Sequence, residues 1–415
     1  MEPLFTNDAI VLGILFAVLA LIFVSAHSER RFWKKFYTYV PPLLLCYFVP
    51  ALLQWPAGLI SGEHSELYFV ASRYLLPACL ILLCLSIDLH GILNLGSKAL
   101  IMFFAATLGI ILGGPIALFV IINFAPGIIS SEPEELWRGL STVAGSWIGG
   151  GANQTAMKEI FQVSDRIFST MVVVDVVVAN IWMGFLLYGA NVTRRIDRWL
   201  RSDTTAIEDL KHRVEEYRER IERIPGTTDL FVLMSVAFGG TAIAHLGSDI
   251  ITPFMNRYAD TLSGLKLESL MSDFFWIIVI STTIGLGLSF TKAKSLEGVG
   301  ASKWGSVFIY ILVATIGMRM NIAEIFENLG LFAIGLIWML VHAIILILVG
   351  KLIKAPFFFI AVGSQANVGG AASAPVVASA FSPSLAPVGV LMAVLGYALG
   401  TYGAIICAYI MQFVS

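Results

Sequence analysis

The sequence predicts an all-α polytopic membrane protein built from two similar halves. Of its 415 residues, 58% are hydrophobic and only 13% are charged, and the mean hydropathy is +0.85. Soluble globular domains carry about twice that share of charged residues. The apolar runs are about twenty residues long, which is the length that a helix needs to cross a bilayer. The alternating ten-residue pattern of outer-membrane barrels is missing, so the spans are predicted to be helices.

Ten apolar segments are predicted to cross the membrane, five in each half. They lie near residues 9–25, 39–56, 67–87, 98–123 and 167–190, and near 229–247, 271–290, 304–318, 329–350 and 386–413. The first run lacks a small-residue cleavage site, so we interpret it as a retained span. Two glycine-rich stretches, at about 137–161 and 357–381, are left over.

The charges of the loops predict how these segments are threaded. Lys and Arg accumulate on the cytoplasmic side, which places the basic loop 194–223 inside. The acidic loop near Glu135 falls outside, so the first glycine-rich stretch must enter the membrane and return. Each half then has five spans plus a re-entrant or broken helix, and an odd number of crossings makes the halves inverted repeats with both termini outside. Lys158 and Arg166 count against this threading, and two full crossings would make the halves parallel instead.

This threading divides the chain into three parts. An N-terminal transmembrane repeat covers 1–193, a charged cytoplasmic linker covers 194–227, and a C-terminal transmembrane repeat covers 228–415. Apolar residues recur every three or four positions from Ile207 to Ile224, which predicts an amphipathic helix. That helix packs on the inner face of the protein or pairs across a dimer. The expected location is the inner membrane of a bacterium.

The composition also limits the partners. A net charge of −2 gives no general attraction to nucleic acid. The four cysteines lie in apolar runs without metal-ligand spacing and are expected to be packing residues. The expected partners are the bilayer, a small-molecule solute and a second copy of the chain in a homodimer.

The two glycine-rich stretches contain the motifs GSWIGGGANQ, residues 145–154, and GSQANVGG, residues 363–370. Irregular backbone is tolerated at membrane depth only where it is buried in protein or lines a wet cavity. Two such interruptions at matching places are a strong sequence indication of a transporter's binding site. A half-helix N-terminus would attract an anion, and freed carbonyls would suit Na⁺. Helix packing through small residues is the alternative.

Polar and glycine residues of these stretches, with two residues of the last span, form the predicted substrate site. They are Ser146, Gly149, Gly150, Gly151, Asn153, Gln154, Ser364, Gln365, Asn367, Gly369, Gly370, Ser373, Tyr397 and Thr401. The last two lie on a glycine-rich segment whose Gly396 and Gly400 form a GxxxG pair, so packing is an equal explanation there.

Asp175 is the expected ion-coupling residue. It lies in the middle of an apolar span, where a carboxylate costs several kcal/mol unless it is paired, protonated or bound to a cation. We expect it to be a Na⁺ ligand or a proton carrier, and the alternative is a structural hydrogen bond. Asn180 lies five residues on and could assist only after a local adjustment of the turn. A Na⁺ ion would involve Asp175, Asn153 and Asn367.

Enzymatic functions find little support in the sequence. HExxH, GxSxG, CxxC and P-loop motifs are absent. Asp88 and Asp175 could form an intramembrane aspartyl hydrolase, but Asp88 is predicted at the inner boundary and Asp175 at mid-membrane. An ion channel or a cation/proton exchanger without organic substrate are alternative functions, because re-entrant loops also build filters.

The two glycine-rich motifs and the segment VVDVVVAN, residues 173–180, resemble an uncharacterised bacterial integral-membrane family over most of the chain. That family is remotely similar to sodium:glutamate symporters and, more distantly, to cation:proton antiporters and bile-acid:sodium symporters. The resemblance implies inverted five-span repeats, a scaffold domain that often dimerises, and a mobile core that holds substrate and ion. Gly149 to Asn153, Gln365 to Gly370 and Asp175 would lie in that core. The glycine-histidine-glycine form of glutamate-symporter loops is not present, so glutamate itself is not the predicted solute.

The predicted function is secondary active transport by alternating access. The solute is expected to be small, polar and anionic, and the coupling ion is expected to be Na⁺ or, alternatively, H⁺. No other cofactor and no enzymatic activity are expected.

Overall fold

A computed structural model gives the fold of residues 3–40, 42–86, 95–129, 132–202, 225–264, 267–319, 330–382 and 385–415. All regular secondary structure in these ranges is helical. Asp88 and most of the linker, residues 203–224, lie outside the described residues. The predicted linker helix and the Asp88 hypothesis therefore stay predictions.

The helices follow the predicted segments in both halves. The first half contains α1 (Asp8–Ala26), α2 (Arg31–Tyr39), α3 (Pro42–Gln54), α4 (Leu67–Leu85, with a π-helical turn at Ala71–Leu75), α5 (Ser97–Phe124), α6 (Pro133–Gly149), α7 (Gly151–Ile160), α8 (Asp165–Asn191) and α9 (Thr193–Leu200). The second half contains α10 (Thr227–Asn256), α11 (Ala259–Gly264), α12 (Asp273–Ser289), α13 (Ala301–Gly317), α14 (Gly330–Leu352), α15 (Phe357–Val368), α16 (Gly370–Phe381) and α17 (Ala386–Val414).

The all-α multi-pass fold is confirmed, and each of the ten predicted spans contains a helix. Among the described residues, seven helices are long and apolar enough to cross a membrane, namely α1, α4, α5, α8, α10, α14 and α17. An eighth is possible if α12 is joined to the 3-10 helix Lys292–Val299, which turns away from it by 96°. Helices α3 and α13 have only 13 and 17 residues. The inverted relation of the two halves stays a prediction.

The helices are arranged in two bundles, and each half of the chain contributes to both. Helices α1, α3, α4, α10, α12 and α13 pack chiefly against one another and form the first bundle. Helices α5, α6, α7, α8, α14, α15, α16 and α17 form the second. The first three predicted spans of each half thus build one bundle. The last two spans and the glycine-rich stretch of each half build the other.

The first glycine-rich stretch folds as a helical hairpin, which we call hairpin 1 (α6 and α7). Its open ends lie together, because a guanidinium nitrogen of Arg138 donates to the carbonyl oxygen of Phe161 over 3.2 Å. Gly145 faces the second arm so closely that a Cβ there would lie 2.6 Å from the carbonyl oxygen of Asn153. The turn is at Gly150, whose φ of +79° is strained for any residue with a side chain.

The second glycine-rich stretch forms hairpin 2 (α15 and α16) in the same way. The rings of Phe358 and Phe381, at its open ends, have centroids 5.3 Å apart. The amide of Gln365 donates to the Ser373 hydroxyl across the arms over 2.7 Å. Gly370 has a φ of +58° at the turn. Both stretches therefore return to the side from which they start, as a re-entrant segment does.

Hairpin 1 approaches α17 through glycines on both helices. A Cβ on Gly149 would lie 2.5 Å from the carbonyl oxygen of Gly396 and 2.7 Å from the Cα of Gly400. These atoms belong to the backbone and cannot rotate away. The glycines of the predicted GxxxG pair are thus used for packing, because only a bare backbone lets the two helices come this close.

We predict that Gly149→Ala destabilises the protein by about 1–3 kcal/mol, because the added methyl group overpacks this contact. The matched control is Gly184→Ala on α8, where a Cβ meets no atom within 4 Å. The control should keep the unfolding temperature of the parent in a thermal melt of the purified protein, or raise it. Equal melts for the two variants would contradict the close approach of hairpin 1 to α17.

Candidate functional site

The centre of the candidate site is the carboxylate of Asp175 on α8, which is buried beside the turn of hairpin 1. It accepts hydrogen bonds from the Ser146 hydroxyl over 2.6 Å and from the Trp147 indole nitrogen over 2.7 Å. The Gln154 amide donates a third bond over 3.0 Å. Both arms of the hairpin thus contribute, since α6 carries Ser146 and Trp147 and α7 carries Gln154. These three neutral donors satisfy the buried carboxylate.

The hydrogen-bond donors around Asp175 determine which ions its carboxylate can bind. An ionised Asp175 can accept all three bonds, and a protonated one can donate to Ser146, whose hydroxyl rotates freely. A hard cation such as Na⁺ needs several oxygen ligands, whereas the indole and amide present N–H groups. Asp175 forms no ion pair in the part of the chain that the structure describes. In this conformation the surroundings of Asp175 fit a proton better than a metal ion.

Asn153 joins hairpin 1 to the last helix. Its amide nitrogen donates to the carbonyl oxygens of Gly149 and Tyr397, each over 3.0 Å. Its amide oxygen accepts from the Thr401 hydroxyl over 2.6 Å. Thr401 in turn lies 3.1 Å from the hydroxyl of Thr282 on α12, which belongs to the first bundle. A buried polar chain therefore runs from hairpin 1 through α17 to the other bundle.

Asn367 makes the same set of bonds from hairpin 2. Its amide nitrogen donates to the carbonyl oxygens of Gly363 over 3.0 Å and of Phe103 over 3.2 Å. Its amide oxygen accepts from the Thr107 hydroxyl over 2.8 Å. Each asparagine amide donates to the carbonyl oxygen four residues earlier in its own helix and to a carbonyl oxygen of a neighbouring helix. Its amide oxygen accepts from a threonine of that neighbouring helix, four residues after the residue whose carbonyl is bound. We call these two sets of bonds the asparagine clasps.

The clasps change the interpretation of the two asparagines as Na⁺ ligands. Asn153 and Asn367 are both completely buried, and the amide of each is occupied by protein groups. A buried polar group whose partner is removed costs about 1–3 kcal/mol, so these amides are held firmly where they are. Their role in this conformation is to fix the hairpins to α17 and α5.

Ser364 of hairpin 2 contacts polar side chains of two other helices, α14 and α8. Its hydroxyl lies 2.8 Å from the imidazole of His342 and accepts from the Trp182 indole over 2.7 Å. The other ring nitrogen of His342 lies 3.1 Å from the carbonyl oxygen of Ala106, so His342 is a hydrogen-bonded packing residue. The side-chain oxygen of Gln365 is buried and accepts no hydrogen bond from the described residues.

Helix α8 connects the two hairpins. Asp175 contacts hairpin 1, and Trp182, seven residues later, contacts hairpin 2. Seven residues of helix span about 10 Å, so the two polar sites lie roughly that far apart along α8.

The structure divides the predicted site residues between two polar sites, one at each hairpin, and Asn180 belongs to neither. Ser146 and Gln154 meet Asp175, whereas Asn153 meets Thr401 and the backbone of Tyr397. The glycine residues Gly149, Gly150, Gly151, Gly369 and Gly370 form the two turns and the close approach to α17. Asn180 is half-buried and, among the described residues, donates only to the carbonyl oxygen of Val176, over 2.8 Å. It makes no bond to Asp175, since residues five apart do not share a helix face.

Several residues of the site were not predicted from the sequence. Trp147 lies inside the glycine-rich motif but was not predicted to donate to Asp175. Thr107, Thr282 and Trp182 lie on long apolar helices, where single polar residues carry no spacing signal. Their roles follow only from contacts between segments far apart in the chain.

Comparison with known proteins agrees with the predicted family. The model of the family described as "Protein of unknown function (DUF819)" matches residues 13–414, so the chain belongs to this family. It is also 23% identical over 413 residues to "Uncharacterized membrane protein YjcL" of Bacillus subtilis (strain 168), a match that covers 96% of this chain and 95% of that protein. The predicted resemblance to an uncharacterised membrane family is confirmed. The remote similarity to symporters stays a prediction.

We predict that Asn153→Ala and Asn367→Ala each lower the unfolding temperature of the purified protein. Each removes three buried hydrogen bonds, one of them from a neighbouring threonine, at a cost of about 1–3 kcal/mol. Asn180→Ala is the control, because the bond that its amide makes in the described part of the chain stays within its own helix. Its melt should stay close to that of the parent, and losses of similar size in all three variants would argue against the clasps.

Proposed function

We propose that this member of the DUF819 family is a secondary active transporter of a small polar, anionic solute, coupled to H⁺ or Na⁺. The observation that carries the proposal is the buried carboxylate of Asp175, held by neutral donors at the turn of a re-entrant hairpin. A carboxylate inside the membrane is expensive and marks an ion pathway by default. Helical hairpins at matching places in two halves are typical of transporter binding sites.

The helix N-termini at the hairpin turns favour the binding of an anionic solute. Helices α7 and α16 begin at Gly151 and Gly370, directly after the turns. Their first N–H groups carry the positive end of the helix dipole, which favours a negative ligand group. The side-chain oxygen of Gln365, which accepts no hydrogen bond from the residues that the structure describes, adds a buried polar atom near the second turn. This oxygen can accept a hydrogen bond from a hydroxyl or ammonium group of a solute.

Of the two coupling ions, the proton is the better fit to the geometry of Asp175. Both protonation states of this carboxyl find partners among Ser146, Trp147 and Gln154 without moving a helix. A Na⁺ ion would need the two N–H groups to turn away and oxygen atoms to replace them. We therefore rank H⁺ above Na⁺ as the coupling ion, which reverses the order suggested by the sequence.

We predict that Asp175→Asn abolishes ion-driven uptake, because asparagine cannot release a proton or carry a negative charge. The assay is uptake by vesicles that contain the purified protein, driven by a pH gradient or by a Na⁺ gradient. The solute is first found by thermal stabilisation of the protein with a panel of small organic anions, since a ligand that binds the folded state raises its stability. Asn180→Ala on the same helix is the control and should transport normally.

The same assay separates the competing functions. Normal uptake by Asp175→Asn would remove this residue from the mechanism. A channel would show a flux that does not saturate and does not depend on the gradient of a second ion. An exchanger would move cations when no organic solute is present.

Alternating access needs contacts between the two bundles that can break, and one group of charged residues has the required placement. Tyr68 and Arg73 on α4 and Arg319 after α13 belong to the first bundle. Lys158 and Glu159 on α7 and Asp165 on α8 belong to the second. We call these six residues the bridging cluster.

The pairs of the bridging cluster cross from one bundle to the other. Arg73 lies 3.5 Å from Glu159, and Arg319 lies 2.9 Å from Asp165. Tyr68 donates to Glu159 and accepts from Lys158, which is itself 2.9 Å from Asp165. Only 6% of the Lys158 side chain and 8% of the Glu159 side chain are exposed, so these charges depend on their partners. We interpret the cluster as a contact that holds the two bundles together at one end.

We predict that Arg319→Gln opens this end more often, because it leaves Asp165 without its partner from the first bundle. A cysteine introduced at Thr155, a fully buried residue of α7, reports the opening by its rate of reaction with a maleimide. The reaction should be several-fold faster in Arg319→Gln than in the parent.

Arg166→Gln is the matched control. Arg166 pairs with Glu135 over 3.2 Å, and both residues belong to the second bundle. Its loss should leave the labelling rate unchanged. Equal rates in the two variants would show that the bridging cluster does not hold the bundles together.

A further inference from the structure

Helix α2 separates two kinds of side chain on its two faces. At 100° per residue, Arg31, Lys34 and Lys35 fall on one half of the helix, and the aromatic residues fall on the other. The aromatic residues of that half include Phe32, Trp33, Phe36 and Tyr37. With nine residues α2 is too short to cross the bilayer, so this pattern is typical of a helix that lies along the membrane interface.

The aromatic face of α2 is fixed against the end of α1. The Tyr37 hydroxyl donates to the carbonyl oxygen of Ile22 over 3.0 Å and lies 2.6 Å from the Ser25 hydroxyl. The Trp33 and Phe36 rings pack edge to face with centroids 5.8 Å apart. The helix is therefore held at one place on the protein rather than lying free on the membrane.

A cavity of about 810 Å³ opens between α1, α2 and α3. Its walls are mostly apolar, and its lining residues with polar side-chain groups are Ser25, Ser28, Arg30, Trp33 and Tyr37. The lining residues are Val18, Leu21, Ile22, Val24, Ser25, Ser28, Arg30, Trp33, Phe36, Tyr37, Leu45 and Val49. Ser28 and Arg30 thus place one hydroxyl and one guanidinium at the polar end of an apolar cavity.

The surface beside this end has an excess of positive charge. Arg30, Arg31 and Lys35 are exposed, and the acid next to them, Glu29, forms an ion pair with Lys34. Of these three, Arg30 lines the cavity, whereas Arg31 and Lys35 lie on the other face of α2. Basic residues at the edge of a membrane attract anionic lipid headgroups, and tryptophan and tyrosine side chains favour the same depth.

We propose that this cavity binds an anionic glycerophospholipid. One acyl chain lies along the apolar walls between α1 and α3, and the phosphate lies at Arg30 and Ser28. The combination of an apolar cavity with a cationic mouth argues for a lipid rather than for a second copy of the chain. The site is independent of the proposed transport function.

The test uses the purified full-length protein in detergent after removal of lipid. Phosphatidylglycerol and phosphatidylcholine with identical acyl chains are added in turn, and the unfolding temperature and the lipids retained in native mass spectrometry are measured. We expect phosphatidylglycerol to raise the unfolding temperature more, because binding to the folded state stabilises it. Glycerol 3-phosphate, which has the charge without the chains, should have no effect. Equal stabilisation by the two lipids, or full stabilisation by glycerol 3-phosphate, would overturn the proposal.

Two variants examine the two parts of the site. Arg30→Gln with Arg31→Gln should weaken the binding of phosphatidylglycerol by roughly tenfold or more. Leu45→Trp should reduce the binding of both lipids by filling the apolar part. The control is Lys292→Gln with Lys294→Gln, which removes two exposed positive charges elsewhere and should change nothing.

Melts without added lipid separate a loss of folding from a loss of binding. If the double arginine variant retains the preference for phosphatidylglycerol, the phosphate is not at Arg30. If the lysine control loses the preference equally, general surface charge explains the binding. Either result would overturn the proposal.

Discussion

The constraint on which this fold depends is the need to satisfy backbone and polar groups inside the membrane without water. Each hairpin turn breaks a helix and leaves backbone carbonyl and amide groups without helical partners, and lipid cannot form hydrogen bonds with them. In this protein both hairpins pack within the second bundle, and an asparagine lies three residues from the glycine at each turn, Gly150 and Gly370. The asparagine amide carries a donor and an acceptor, so Asn153 and Asn367 can each join a broken helix to an intact one.

The same constraint explains why glycine and tryptophan occur together in the second bundle. A large indole can be buried only if its N–H finds an acceptor and the facing helix has room. On α5, Gly113 and Gly114 leave space for Trp338, where a Cβ would come within 2.7 Å of its ring. The indole nitrogen of Trp338 donates to the carbonyl oxygen of Ile110 over 2.8 Å. Trp147 packs against Trp338, and its indole N–H is satisfied by donating to Asp175.

Sequence reasoning was most successful where one segment alone decides the outcome. Hydropathy located all ten predicted helices, and glycine-rich composition located both turns, because each property is local. The burial of Asp175 could be predicted from its apolar neighbours. Its contact with Trp147 could not, since that contact depends on how α8 packs against α6. The clasps were missed for the same reason, because Thr107 and Thr401 lie about 260 and 250 residues from their asparagines.

Asn153 and Gln154 are consecutive residues of α7, and this gives hairpin 1 two attachments that move together. Asn153 binds α17, which reaches the first bundle through Thr401 and Thr282, and Gln154 binds the carboxylate of Asp175 on α8. A rigid shift of α7 that breaks the Asn153 clasp would also withdraw a donor from Asp175. Loss of a donor to the charged form raises the affinity of a carboxylate for a proton. Within the proposed mechanism, the contact between the bundles and the charge of Asp175 are therefore linked through adjacent side chains on one short helix, and no longer pathway is needed to couple them.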